Sequence, residues 1–184
     1  MRRSRLLAMG IGGALLAFPV MLVGISVARG TTGAAAEAVV MRAMKAEHEL
    51  GTLPASASAS GVGATLRGAM IISARAVLAS IYSGPILDRR LETVIGGIET
   101  EGTPEGIFIW DGGVKDVAFQ STSIDGDLAV VKVRATSYLV ISATATSERS
   151  TPQNRADLTF ELSRIGGAWY VTSENLEFLP GESP

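Results

Sequence analysis

The 184-residue sequence contains one histidine and no cysteine, which limits both thiol chemistry and metal binding. Without cysteine the chain has no disulfide framework, no thiolate nucleophile and no Cys-ligated zinc or iron–sulfur cluster. His48 lies between Glu47 and Glu49, and a lone imidazole among carboxylates is most often a solvated surface residue. One histidine cannot build the His-rich sites that catalytic zinc uses. We therefore predict no metal site and no cofactor.

General acid–base catalysis remains, and it needs a titratable group on the inner face of the fold. Apolar and polar residues alternate in the C-terminal half, so counting residues separates the two faces of each strand. The count places the carboxylates outward or at strand ends, namely Asp116, Asp127, Asp157, Glu161 and Glu174. The polar residues that it places inward are Ser121, Ser123, Ser137, Ser173 and Asn175. Since hydroxyls and amides do not titrate near neutral pH, we predict no catalytic residue, although a β-bulge in the last strand would turn Glu174 inward.

The predicted secondary structure that positions these residues changes from helix to strand at Ile107. Before it, apolar residues recur every three to four positions, which predicts helices over 32–50, 64–82 and about 86–98. After it the period is two, which predicts strands at 106–110, 114–124, 127–145, 156–165 and 168–179. Gly–Gly pairs at 96–97, 112–113 and 166–167 are interpreted as caps or turns, because none has the G-x-G-x-x-G context of a phosphate site. The prediction is an α+β fold in which helices pack on a curved antiparallel sheet.

An uncharged run from Leu6 to Ala28 is long enough to cross a bilayer as a helix. Arg2, Arg3 and Arg5 precede it and Arg29 follows, which predicts a cytoplasmic N-terminus and an extracytoplasmic remainder of a single-pass cell-membrane protein. Cleavage as a signal peptide at the small residues 34–36 is the alternative. The expected organisation is a tail and transmembrane anchor over 1–29, a stalk helix and flexible linker over 30–63, a folded domain over 64–179 and a tail over 180–184. Whether 32–50 belong to the folded domain is left open.

The distribution of charge argues against nucleic acid as a partner. All 18 acidic side chains follow the apolar run, whereas three of the 16 basic side chains precede it, so the exported part is acidic. Without a basic stripe there is no counterion release, which supplies most non-specific affinity for nucleic acid.

The order of helices followed by a long-stranded meander resembles the nuclear-transport-factor-2-like (NTF2-like, or SnoaL-like) superfamily over about 64–179. The resemblance depends on the segment 123–133, on its partner 158–162 and on the closing strand around Trp169. With one membrane anchor, the chain is similar to actinobacterial mammalian-cell-entry-associated membrane proteins, and in layout to the bitopic scaffold subunits of conjugation and type IV secretion machines. These resemblances imply assembly of an envelope complex and no cofactor. The superfamily also includes cyclases, isomerases and dehydratases.

Three functional hypotheses follow. The preferred one is a non-enzymatic scaffold or accessory subunit that binds other envelope proteins, with a partner surface formed by Lys132, Arg134 and Tyr138. The second is a carrier or sensor of a small apolar ligand, bound in a cone lined by Phe119, Ile141, Phe160, Leu162 and Trp169. The third is a SnoaL-like cyclase or isomerase, which requires an inward carboxylate in the last two strands. Homo-oligomerisation is left open.

Overall fold

Three helices precede a four-stranded antiparallel sheet in the computed structural model, which describes residues 33–53, 62–101, 103 and 106–182. The helices are α1 (Gly33–Glu49), α2 (Ala64–Ala79) and α3 (Pro85–Thr100). The strands follow in the spatial order β1-β2-β3-β4, with the bounds β1 (Phe108–Asp125), β2 (Leu128–Ser142), β3 (Gln153–Ile165) and β4 (Ala168–Phe178). The predicted α+β class, with helices packed on a curved antiparallel sheet, is confirmed.

The core lies between the inner face of the sheet and the helices. Alternate residues of β2 and β3, including Val131, Val133 and Phe160, are buried against α1 and α2. α1 contributes a full apolar stripe to this core, namely Ala36, Val39, Val40, Ala43, Met44 and Ala46. α1 is therefore part of the folded domain, and the expected boundary at 64, with a stalk over 30–63, would divide a single core.

β1 is one continuous strand, whereas the sequence predicted a hairpin with a turn at 111–113. Gly112 pairs with Leu139 and Gly113 with Tyr138, so both glycines lie within the ladder. A Cβ atom on Gly112 would lie 2.8 Å from Cδ2 of Leu139 and 3.2 Å from Cβ of His48. The glycine therefore permits close approach of α1 and β2 to this strand and does not turn the chain.

Extra residues interrupt the ladders and change which side chains face inward. In β1 the register shifts by one residue at three places, between Ile109 and Asp111, between Lys115 and Ala118, and between Phe119 and Ser121. In β4 the extra residue is Thr172, because Glu161 pairs with Ser173 while Leu162 pairs with Val171. Each insertion reverses the inward–outward alternation beyond it.

Several predictions concern residues outside the described ranges. These are the cytoplasmic tail and anchor, including Leu6–Ala28, most of the linker (54–61) and the end of the tail (183–184). Among the residues that the structure describes, no helix is both long enough and apolar enough to cross a membrane.

Candidate functional site

The bulge in β4 turns one carboxylate toward the helices. Glu174 pairs with Phe160, whose side chain is buried in the core, so Glu174 lies on the inner face of the sheet. The sequence-based prediction that Glu174 faces outward is therefore wrong, and the bulge that would reverse it is present. The same shift corrects Ser173 and Asn175, which pair with the outward residues Glu161 and Thr159.

A comparable correction applies to β1. Ser121 pairs with Lys132 and Ser123 with Val130, both on the outer face, because the extra residue before Ser121 reverses the alternation. Ser137 was also predicted to face inward, and it pairs with Val114, which packs against the core. The inner face is thus poorer in hydroxyls than the count of alternating residues indicated, and it holds a carboxylate that the count placed outside.

Glu174 belongs to a group of four residues, Glu47, Tyr82, Arg90 and Glu174, which we call the charged cluster. Arg90 forms ion pairs with Glu174 and, at 3.2 Å from its Nη2, with Oε1 of Glu47. Tyr82 donates its hydroxyl proton to the same Glu47 oxygen at 2.7 Å. Tyr82 is 1% exposed, and the side chains of Arg90 and Glu174 are 25% and 14% exposed. One guanidinium and one phenol therefore bind two partly buried carboxylates.

Each member of the charged cluster comes from a different element. Glu47 lies in the last turn of α1, Tyr82 follows α2, Arg90 lies in α3 and Glu174 lies in β4. The chain around Tyr82 pairs with the edge of β4, because the Val171 N–H donates to Ile81 O at 2.9 Å and the Ser83 N–H donates to Val171 O at 3.0 Å. The cluster therefore connects all three helices to the last strand.

The residues just before and at the start of α3, the helix that carries Arg90, favour a helix start at this position. Gly84 has φ 69°, a conformation that residues with a Cβ atom rarely adopt, and Pro85 then occupies the first turn of α3. This turn reverses the chain after Tyr82 and lays α3 beside β4. Arg90 consequently reaches both Glu47 and Glu174.

The environment of the cluster keeps the Tyr82 phenol protonated. Burial, the negative charge of Glu47 and the hydrogen bond to it raise the pKa of Tyr82 well above its usual range, so the phenol keeps its proton. Arg90 compensates the two carboxylates, which would be costly to bury unpaired. Beside the cluster is a cleft of about 240 Å³ lined by Ile86, Arg89, Arg90, Thr93 and Glu174. The arrangement can cross-link the layers, and it can also present the Arg90–Glu174 pair to a bound molecule.

The predicted partner surface lies on the outer face of β2. Lys132 and Arg134 are exposed, and Arg134 donates from Nε and Nη2 to the two carboxylate oxygens of Asp157, each at 2.7 Å. These hydrogen bonds hold the pKa of Asp157 below its usual value and raise that of Arg134. Tyr138 is half-buried against Gly113, where a Cβ atom would lie 3.1 Å from the phenol oxygen. The three residues share a face, and their role in partner binding stays a prediction.

Most of the residues expected to line an apolar cone belong to the packed core. Phe160, Leu162 and Trp169 are 1%, 1% and 6% exposed and contact the core side chains of the helices. Phe119 packs against the same core, and Ile141 is half-buried toward the end of β2. A second cleft, of about 480 Å³, has a polar lining at other positions, namely Lys115, Asp116, Thr136, Gln153, Arg155 and Glu182.

His48 is half-buried, whereas the sequence predicted a solvated side chain. Burial lowers the pKa of the imidazole, against the opposing charges of Glu47 and Glu49. In the described parts of the chain, no group of three or more histidine or acidic side chains is placed to hold a metal ion.

Sequence reasoning missed a buried carboxyl at Glu101, which directly follows α3 and is 2% exposed. One of its oxygens accepts the Ile109 N–H at 2.8 Å, while Arg67 donates to the carbonyl oxygens of Ile98 and Glu101, each at 3.0 Å. Burial raises the pKa of Glu101 to about 7. The sequence placed Glu101 in a loop, where no periodicity indicates which side chain is buried.

Comparisons with known proteins agree with this fold. No family model matches the chain, and no curated protein matches it. The intermembrane-space region of the chloroplast protein ARC6 is similar in structure, with 13% identity, a TM-score of 0.56 and coverage of 82% of this chain and 99% of that one. At this identity the similarity shows the fold alone.

Two bacterial structures match at lower TM-scores. The protein Kfla4162 from Kribbella flavida is 10% identical, with a TM-score of 0.49 and coverage of 79% of this chain and 88% of that one. A protein provisionally named scytalone dehydratase, from Novosphingobium aromaticivorans, is 13% identical, with a TM-score of 0.38 and coverage of 61% and 76%. Membership of the NTF2-like superfamily stays a prediction.

Proposed function

We propose that the protein is a single-pass membrane protein whose extracytoplasmic NTF2-like domain acts as a non-enzymatic scaffold or accessory subunit of an envelope transport or secretion complex. The observation that carries the non-enzymatic part is the pairing within the charged cluster. Both carboxylates of the charged cluster bind Arg90, and Glu47 also accepts the Tyr82 proton. A general base needs a free lone pair within reach of a substrate proton, and here Arg90 competes for both carboxylates.

A free sheet edge supports the scaffold role. β4 is an edge strand, and beyond Val171 its outer side has no pairing partner among the described residues. Leu176 and Phe178 are 48% and 37% exposed on this segment, on the inner face, because they pair with Leu158 and Ala156. An edge with exposed apolar side chains is a template for adding a strand from another chain. We propose that an extended apolar segment of an envelope protein pairs here.

The fold shared with ARC6 motivates the proposed envelope setting and does not test it. The matched region of that chloroplast protein lies in an intermembrane space, so a domain of this fold is used there between two membranes. The basic residues before Leu6 predict the corresponding topology for this chain, with the domain outside the cytoplasm.

The test measures the size of the assembly that contains the full-length protein, extracted from its native membrane in mild detergent. We expect a complex larger than the monomer, which Leu176→Asp reduces to the monomer. Ile72→Asp is the matched control, because Ile72 is 72% exposed on α2, away from the β4 edge. A monomeric wild-type protein would refute the scaffold proposal, and equal effects of the two variants would refute the edge as the docking site.

One observation favours a second function, a SnoaL-like cyclase or isomerase. Glu174 is the inward carboxylate that such an enzyme requires in the last two strands, and it lines the 240 Å³ cleft. A ligand-observed NMR screen of small carbonyl compounds against the full-length protein tests this function. Binding that Glu174→Gln abolishes and that Glu177→Gln, on the outer face of the same strand, retains would support an enzyme or carrier site in the cleft; binding unaffected by either variant would argue against it.

A further inference from the structure

Exposed apolar side chains gather on the outer face at one end of the sheet, where the β1–β2 and β3–β4 turns lie. Leu128, Ile165 and Val130 are 61%, 52% and 38% exposed. Leu128 pairs with Ser163, so Ile165 is its diagonal neighbour on the same face, roughly 7–8 Å away. Tyr170 is half-buried and pairs with the same serine from the other side. We call Leu128, Val130, Ile165 and Tyr170 the turn-end patch.

The start of α1 lies near this end. A Cβ atom on Gly33 would lie 3.2 Å from Cγ2 of Thr122, and the Thr122 hydroxyl donates to Glu37 at 2.6 Å. Thr122 precedes the last residue of β1, Asp125, by three positions, or about 10 Å of strand. Arg29, which follows the predicted anchor, precedes Gly33 by four positions and is therefore at most about 14 Å from it. An anchor ending at Arg29 must hold this end of the domain close to the bilayer.

We propose that the turn-end patch is a membrane-contact surface that docks on the lipid headgroups of the bilayer that holds the anchor. This inference rests on the proposed anchor and adds an orientation to it. Exposed apolar side chains with a tyrosine among them suit the boundary between headgroups and acyl chains. A patch of this size binds weakly alone, and tethering raises its effective concentration at the bilayer.

The charges at this end select the type of lipid. Asp127 pairs with Arg164 at 3.1 Å, and Arg164 also donates to the carbonyl oxygen of Gly126 at 2.8 Å. Asp125 adds a further exposed carboxylate, so the two turns carry no excess positive charge. The surface therefore suits zwitterionic headgroups, and anionic lipid should weaken the contact.

The proposed orientation has a consequence for the scaffold. Strand β4 runs from the turn end to the opposite end of the sheet, where Leu176 and Phe178 lie. Docking of the turn-end patch would point the free part of the β4 edge away from the membrane. That edge would then be accessible to a partner in the extracytoplasmic space.

The absence of cysteine makes the test direct, because one introduced cysteine gives one label. Leu128→Cys and Ile165→Cys variants of the full-length protein are labelled with an environment-sensitive fluorophore and reconstituted into phosphatidylcholine vesicles. Ile72→Cys is the matched control, since Ile72 is 72% exposed on α2. We expect a nitroxide-labelled lipid to quench the two patch labels at least threefold more than the control, and aqueous iodide to show the opposite order. Adding phosphatidylglycerol should reduce the difference.

The outcomes separate this inference from the proposed function. Equal lipid quenching of the patch and control labels, with protein that resists alkaline extraction from the vesicles, would overturn membrane docking and leave the anchor intact. Protein released by alkaline extraction would overturn the anchor and the docking together. Efficient disulfide formation between unlabelled Leu128→Cys copies, without lipid quenching, would identify a second copy as the occupant and overturn the proposal. Near-ultraviolet circular dichroism checks that each variant keeps its fold.

Discussion

Replacing Arg90 with methionine tests whether the charged cluster holds the helices to the sheet. The substitution keeps an unbranched apolar stem and removes the guanidinium that binds Glu47 and Glu174. Glu47 would keep the Tyr82 hydrogen bond, whereas Glu174, with 14% of its side chain exposed, would lose its ion pair. The variant therefore leaves a poorly solvated carboxylate without a countercharge.

The size of the effect follows from the burial of the partners. Removing one partner of a fully buried ion pair costs about 3–5 kcal/mol. The side chains of Arg90 and Glu47 are 25% and 26% exposed, so water compensates part of that loss. We expect a decrease of about 2–3 kcal/mol in the free energy of unfolding. For a domain of this size, that decrease corresponds to a melting temperature lower by about 4–12 °C.

The assay is thermal unfolding of the full-length protein in detergent, followed by near-ultraviolet circular dichroism. Arg89→Met is the matched control, because Arg89 is the exposed neighbour in the same helix and should change stability by no more than about 0.5 kcal/mol. Adding Glu174→Gln to Arg90→Met should restore about 1 kcal/mol by removing the unpaired charge. Equal melting temperatures for Arg90→Met and Arg89→Met would refute the view that the cluster stabilises the packing.

Four other substitutions have defined outcomes in the same assay. Burial raises the pKa of Glu101 to about 7 in the folded state, above its value in the unfolded chain, so the folded state favours the protonated form. The contribution of this group to stability is therefore lost as pH rises from the unfolded-state pKa to about 7. Glu101→Gln should therefore exceed the wild type in stability by about 1–3 kcal/mol at pH 8 and by little at pH 4.5; an unchanged pH profile would contradict this assignment. Tyr82→Phe should cost about 1 kcal/mol because Glu47 loses a donor, and an unchanged melting temperature would show that water replaces the hydroxyl. Gly112→Ala should cost about 1–3 kcal/mol because its Cβ atom would lie 2.8 Å from a β2 side chain, whereas Gly96→Ala, with open space around it in α3, should be neutral or stabilising.

The sequence was sufficient to predict the fold class and most element positions. Apolar spacing placed the three described helices to within a few residues, because each helix buries apolar side chains on one side. The hairpin predicted at 111–113 was wrong for a physical reason. A Gly–Gly pair suits a tight turn and also suits a strand that other elements approach closely. The positions of Leu139 in β2 and His48 in α1 decide between the two.

The candidate site could be predicted only in part, because the β-bulges that reverse Ser121 and Glu174 carry no residue-type signature. Thr172 and Gln120 are ordinary strand residues, yet an extra residue at each place reverses the faces of the residues beyond it. Counting along the strand therefore failed for Glu174 while it succeeded for Trp169, which precedes the bulge and is buried. The members of the charged cluster come from four elements, and Glu47 and Tyr82 alone are separated by 35 positions. No local pattern could bring them together.

The two functional hypotheses make opposite demands on Arg90. In a scaffold, its ion pairs to Glu47 and Glu174 can be as stable as the packing allows, since nothing has to leave the cluster. In an enzyme that uses Glu174 as a base, Arg90 must release that carboxylate when substrate binds, so substrate would have to compensate the cost of breaking the pair. A large stability loss in Arg90→Met would therefore favour the scaffold. A small loss, combined with ligand binding that depends on Glu174, would favour an enzyme.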